Sequence, residues 1–227
     1  MCTVSWLAGG DGYTLRCNRD EKRRRAPASS PRMQRTGGLR VIAPKDPEGG
    51  GTWISVNECG LSLCLLNGAP GGEGSVSRGL LVSGLAALPD GEAVAEAMAA
   101  RDLQGRAAFT LLVLEPGSDG LAFEWDGQLL RRRQAVCSPL ISSSFDPDGV
   151  RESRLRAFKR EPDLERFHAS HGERASAYSP CMHREDAETV SFSRIEVTKE
   201  RVRFSYRGSA PCRPGLVETL EMVRRCQ

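Results

Sequence analysis

Residues 1–21, MCTVSWLAGGDGYTLRCNRDE, hold the stretch on which the fold turns. Cys2 to Leu7 reads as a short strand, Gly9 to Gly12 as a Gly/Asp turn and Tyr13 to Cys17 as a returning strand, so the chain opens with a hairpin. A hairpin brings its first residue beside whatever follows its second strand. Here that is Asn18-Arg19-Asp20-Glu21.

Further along, the basic cluster Lys22 to Arg25 and the Pro/Ser/Arg-rich stretch to about Arg35 carry neither strand nor helix period, and predict an exposed loop that can act as a lid. Strands follow at Leu39–Ala43, Thr52–Asn57 and Leu61–Leu66, and Asn67 ends the last of these before Gly68-Ala69-Pro70-Gly71-Gly72. Val94, Ala97, Met98 and Leu103 share a helical face behind an Asp90 N-cap, which predicts a helix from Gly91 to Leu103. Short strands are expected at Phe109–Glu115, Leu121–Trp125, Gln128–Arg132 and Pro139–Ser142. Surface helices are expected at 150–160 and 163–171, a last hairpin at Val190–Val197 and Val202–Tyr206, and a closing helix at Gly215–Arg225. This order predicts an α+β fold with helices covering mainly antiparallel sheets. Without an internal repeat or an inter-domain linker, residues 1–227 read as a single domain.

The 227 residues, 39% hydrophobic and 27% charged, suffice for one substantial core and exclude collagen, coiled coil and wholesale disorder. A net charge of +3 gives no electrostatic footprint for nucleic acid. No run of 18 apolar residues occurs, and the N-terminus lacks a basic n-region and an apolar h-region, so a cytoplasmic protein that does not span the membrane is expected. Eight cysteines are scattered through the chain, which argues against a disulfide framework. Cys59 with Cys64, Cys181 with His183 and His168 with His171 have poor metal-site spacing. They read as buried small hydrophobes or surface histidines, and no metal is assigned.

Cys2 is the most informative residue. Removal of Met1 would leave a cysteine carrying both a thiol and a free α-amine, with reference pKa values of about 8.5 and about 7.7–8.0, so that one residue holds a nucleophile and a base of matched strength. A carboxylate at Asp20, placed after the partner strand, can orient the ammonium form of that amine. An amide at Asn67, before a Gly-rich turn, can point its NH₂ at a developing oxyanion.

These pieces together resemble a family. Met1-Cys2-Thr3, Asn18-Arg19-Asp20-Glu21, Gly51-Thr52-Trp53-Ile54-Ser55-Val56-Asn57 with Gly60, Leu66-Asn67 and Ser77-Arg78-Gly79 closely resemble the NRDE family, also called the transport and Golgi organisation 2 family. That family is similar to the choloylglycine hydrolases and penicillin acylases of the N-terminal-nucleophile class. The resemblance implies a four-layer αββα sandwich with two mainly antiparallel sheets. It also implies Cys2 as nucleophile, its own amine as base, Asp20 as the amine's contact and Asn67 in the oxyanion hole, with Asn18 and Arg19 nearby. Two positions depart from the choloylglycine pattern: Cys17 stands where an arginine precedes the asparagine, and Ser143 where a second asparagine is expected.

Two functions follow from the resemblance. One is an amidohydrolase or acyltransferase acting on a non-peptide C–N or thioester bond, with no catalytic cofactor. The other is a non-catalytic handler of haem, lipid or acyl-CoA, in which Arg19 and Arg78 greet a propionate, phosphate or carboxylate. Either way the expected partner is a small molecule. The chain has no Cys-Pro dipeptide, and its three histidines lie in polar segments, so no axial haem ligand is assigned.

Overall fold

In the computed structural model, which describes residues 2–68, 74–172 and 174–225, β1 (Cys2–Gly9) and β2 (Gly12–Lys22) form the opening hairpin, with Cys2 opposite Arg19 and Trp6 opposite Leu15. This hairpin lies within a six-stranded antiparallel sheet. β10 (Leu140–Ser142) pairs with the outer side of β1. On the other side β11 (Ala187–Val197), β12 (Arg201–Arg207) and β13 (Val217–Val223) follow β2 in order.

The second sheet is a seven-stranded antiparallel meander in chain order. It runs through β3 (Ser29–Thr36), β4 (Leu39–Lys45), β5 (Ile54–Asn57), β6 (Ser62–Asn67), β7 (Phe109–Leu114), β8 (Leu121–Trp125) and β9 (Leu130–Gln134). Alternation along the strands decides what lies between the sheets. Val4, Trp6, Leu15 and Cys17 of the first sheet meet Ile42, Ile54, Val56 and Cys64 of the second in one buried core. The opposite face of the second sheet, with Leu63, Leu65, Leu111 and Val113, is covered by α1 (Gly79–Leu85) and α2 (Gly91–Ala99). Against the outer face of the first sheet lie α3 (Pro147–Arg160) and α4 (Leu164–Ala169). The layers therefore run helix, sheet, sheet, helix: an α+β, αββα sandwich.

Asp90 caps α2 by accepting from the Ala93 amide, as its position predicts. Four expectations are corrected. β2 runs five residues past Cys17 to Lys22, because β11 pairs with it along its whole length, so Asn18 and Asp20 lie within a strand. Much of the expected loop before Arg35 is β3, an edge strand whose residues need no apolar period because one side faces solvent. Its Pro31 falls at the register shift between Ser29 and Arg32, where the missing N–H is tolerated, and Gly37 and Gly38, at φ +55° and +86°, make the tight turn into β4.

The expected closing helix is β13. The spacing of Leu216, Leu220 and Val223 suits a helix, but Leu220 and Met222 pair across Phe204 and Val202 and pack into the inter-sheet core. The segments 150–160 and 163–171 are helical as expected, yet neither is only surface. Arg154 and His168 are fully buried between these helices and the sheet, and His168 Nε2 shares a hydrogen bond of 2.8 Å with Ser5 Oγ. Cys2, Cys17, Cys64, Cys137, Cys181 and Cys212 are free, and Cys226 lies outside the described residues. No helix among the described residues is long and apolar enough to cross a membrane.

Candidate active site

A cleft of about 810 Å³ opens at one end of the sandwich, and Cys2, Arg19, Asp20, Asn67 and Arg78 all line it. Antiparallel pairing brings the first residue of β1 opposite Arg19 near the end of β2, and Asn67 reaches the same place as the last residue of β6. Of the Gly-rich turn after Asn67, residues 69–73 lie outside the described residues.

The Cys2 side chain points between the sheets and is 6% exposed. Its hydrogen bond to Cys17 and its burial push the thiol well above the ordinary cysteine range, and Cys17 Sγ in turn lies 3.8 Å from Cys64 Sγ. The backbone N–H of Cys2 donates to Ser142 Oγ at 3.1 Å. With Met1 attached, that nitrogen is an amide without basicity and the thiol stays protonated at neutral pH.

Arg19 shares the face of Cys2. Its guanidinium stacks 4.4 Å from the centroid of Trp53 and donates to Asp46 Oδ2 at 3.1 Å. Burial alone would raise the Asp46 carboxyl, but the Arg25 bond of 2.7 Å and the Gly49 amide outweigh it and hold it below the ordinary range. Asp46, Arg19 and Arg25 thus form a charged wall of the cleft, of which the sequence reading named Arg19 but missed Asp46, which sits at the start of an irregular loop.

Arg78 faces Cys2 from the opposite wall. Burial lowers its pKa, and its Nη1 donates to the Ala108 carbonyl at 2.8 Å. It is placed by a crossing of two glycines: a Cβ on Gly51 would lie 2.1 Å from the Gly79 carbonyl carbon, while the Thr52 amide donates to the Gly79 carbonyl at 3.2 Å. That contact gives a physical reason for glycine at both positions.

Asp20 behaves differently from expectation. Its neighbour Arg19 is opposite Cys2, so the pleat directs the Asp20 side chain to the other face of the sheet from the Cys2 thiol. There Arg154 Nη1 donates to Asp20 Oδ2 at 3.1 Å and the Thr189 hydroxyl donates to Oδ1 at 2.6 Å, with both members of the ion pair fully buried. Arg154 also donates to the Thr3 hydroxyl and the Ala177 carbonyl, so it clamps β1 and β2 from behind. Asp20 nevertheless lines the cleft. Asn18, expected near substrate, is turned away: its NH₂ donates to the carbonyls of His168 and Pro180 at 2.9 and 2.8 Å. Ser143 closes a local turn through the Phe145 amide, and its neighbour Ser144 lines the cleft instead. Arg154 was invisible to sequence reasoning because it sits among five other arginines and lysines at 151–166, and only helix packing singles it out.

Two face-to-face antiparallel sheets between helical layers are the architecture of the N-terminal-nucleophile hydrolases. A conjugated bile acid hydrolase variant from Clostridium perfringens superposes with a TM-score of 0.59 at 13% identity, covering 98% of this chain and 92% of that one. Penicillin V acylase from Agrobacterium tumefaciens superposes with a TM-score of 0.58 at 9% identity, covering 98% and 86%. At such identities the likeness concerns the fold. The sequence pattern of the transport and Golgi organisation 2 family matches residues 1–126, and the chain belongs to that family. Comparison with curated protein sequences yields no match.

Proposed function

We propose that the protein is an N-terminal cysteine amidohydrolase or acyltransferase that acts on a non-peptide C–N or thioester bond once Met1 is removed. The observation that carries this reading is that Cys2 lines a cleft of about 810 Å³ together with Arg19, Arg78 and Asn67. In the processed chain the Cys2 α-amine takes the thiol proton, and the thiolate attacks the carbonyl carbon of the substrate. The new C–S bond leaves a tetrahedral oxyanion, to which the Asn67 amide donates. Collapse breaks the C–N bond, and the ammonium returns its proton to the leaving amine. Water or an acceptor then releases the acyl group and restores the thiol. Asp20, held by Arg154, favours the ammonium form through its charge.

The buried, high-pKa thiol of the Met1-bearing chain supports a second reading, a carrier of haem or of a lipid or acyl-CoA anion, with Arg19 and Arg78 at the wall of the cleft. One experiment separates the two. Purified protein is weighed intact and incubated with a panel of acyl thioesters and amides, and adducts are mapped. The enzyme reading expects loss of Met1 and an acyl group on Cys2 that vanishes in Cys2→Ser. Retained Met1, or no adduct at Cys2 together with haem binding unchanged in Cys2→Ser, would overturn it in favour of the carrier.

A further inference from the structure

Four metal-ligating side chains from three segments of the chain meet at one point. His171 follows α4, Cys181 and His183 lie in the connection to β11, and Cys212 lies between β12 and β13. One donor atom of each lies within 4.8 Å of all the others. His183 Nε2 is 3.6 Å from Cys181 Sγ and 3.3 Å from Cys212 Sγ. A tetrahedral zinc with Zn–S of about 2.3 Å and Zn–N of about 2.0–2.1 Å separates adjacent sulfur and nitrogen ligands by about 3.5 Å. The two observed spacings bracket that value.

Two further observations point inward to a ligand. His171 Nε2 is buried without a hydrogen-bond partner, an uncompensated polar atom in a site that has otherwise collapsed around it. The other nitrogen of His183 faces Glu188, with Nδ1 3.6 Å from Oε2, and Glu188 is itself held by Arg213 at 2.9 Å. A carboxylate behind a ligating imidazole fixes its tautomer and leaves the opposite nitrogen free to bind a metal. Here that opposite nitrogen is the one facing both sulfurs.

We propose that His171, Cys181, His183 and Cys212 form a structural zinc site. Two thiolates and two imidazoles suit a borderline-soft ion, and four protein donors leave no open position for catalysis. The site ties the connection before β11 to the turn after β12. That connection also holds the Asp20 neighbourhood, since the Met182 amide donates to Thr189 Oγ1 and Thr189 donates to Asp20. The sequence spacing gives no zinc motif because the ligands arrive from separate loops, and folding alone assembles them. The proposal stands apart from the chemistry at Cys2.

The test uses the reduced, metal-free full chain titrated with Zn²⁺ against a chromogenic chelator, with native mass spectrometry for stoichiometry. One zinc per chain is expected, weakened at least 100-fold in Cys181→Ser and in Cys212→Ser, weakened about tenfold in Glu188→Gln, and unchanged in Cys137→Ser, whose cysteine is exposed and outside the cluster. Should a cysteine variant fail to fold, Co²⁺ loaded into the wild-type chain decides, through thiolate-to-cobalt charge transfer of a two-sulfur tetrahedral site. Failure of the reduced wild-type chain to bind zinc, a stable Cys181–Cys212 disulfide that takes up no zinc after reduction, or undiminished binding in both serine variants would overturn the proposal.

Discussion

Arg154 and Asp20 form an ion pair with both side chains fully buried, on the face of β2 opposite to the one that carries the Cys2 thiol. Burial of two charges costs several kcal/mol per ion unless hydrogen bonds satisfy the rest of each group, and here Thr3, Thr189 and the Ala177 carbonyl supply such bonds while Arg154 Nε has no hydrogen-bond partner. The pair joins α3 to both strands of the opening hairpin, so the Cys2 end of β1 is held from behind as well as from the cleft.

Removal of one partner takes away the charge that offsets the other's burial. Arg154→Ala is expected to destabilise the fold by about 3–5 kcal/mol, the cost of breaking a buried ion pair from one side. Urea denaturation measures it. A variant within about 1 kcal/mol of wild type would show that water reaches Asp20.

In chain that keeps Met1, thiol reactivity should follow burial. Cys137 is exposed, whereas Cys2 is buried and its pKa is raised by the Cys17 bond and desolvation. Iodoacetamide at neutral pH is expected to label Cys137 more than tenfold faster than Cys2, as read by peptide mapping. Comparable rates would mean that the thiol is not shielded between the sheets.

His168 sets a pH dependence. Burial, with Arg16 and Arg154 nearby, pushes its pKa down to about 3 from 6.5. The folded state therefore keeps it neutral while the unfolded chain protonates near pH 6.5, so acid favours unfolding. Its contribution is complete above that pH and is lost as pH falls toward about 3, at up to about 1.4 kcal/mol per unit. Urea midpoints between pH 7 and 5 lie above the main carboxylate range, and His168→Gln is expected to flatten their slope. His183, lowered by its own burial, adds a smaller slope of the same sign, which the difference between the two proteins removes.

Gly51→Ala tests the crossing that seats Arg78. The added Cβ would sit 2.1 Å from the Gly79 carbonyl carbon, so one of the two backbones must move. A loss of about 1–3 kcal/mol is expected from this overpacking, along with weaker binding of anionic ligands in the cleft. Wild-type denaturation and ligand affinity together would refute the role given to this contact.

What the sequence by itself determined is local or carried by motif: the opening hairpin with its Gly/Asp turn, the Asp90 cap, most strands, and the family to which residues 1–126 belong. These depend on neighbours within a few residues, or on residue patterns, both of which a linear reading contains. The edge strands β3 and β13 were not legible, because their pairing energy comes from β4 and β12 and not from their own periodicity. Only tertiary structure turned the side chains of Asp20 and Asn18 away from the thiol, since a strand's continuation past Cys17 and its pleat depend on β11, 165 or more residues later in the chain. The same holds for Arg154 beneath the hairpin and for His171, Cys181, His183 and Cys212 around one point. Burial and convergence are properties of packed layers, and a side chain acquires them from residues that the sequence places far away.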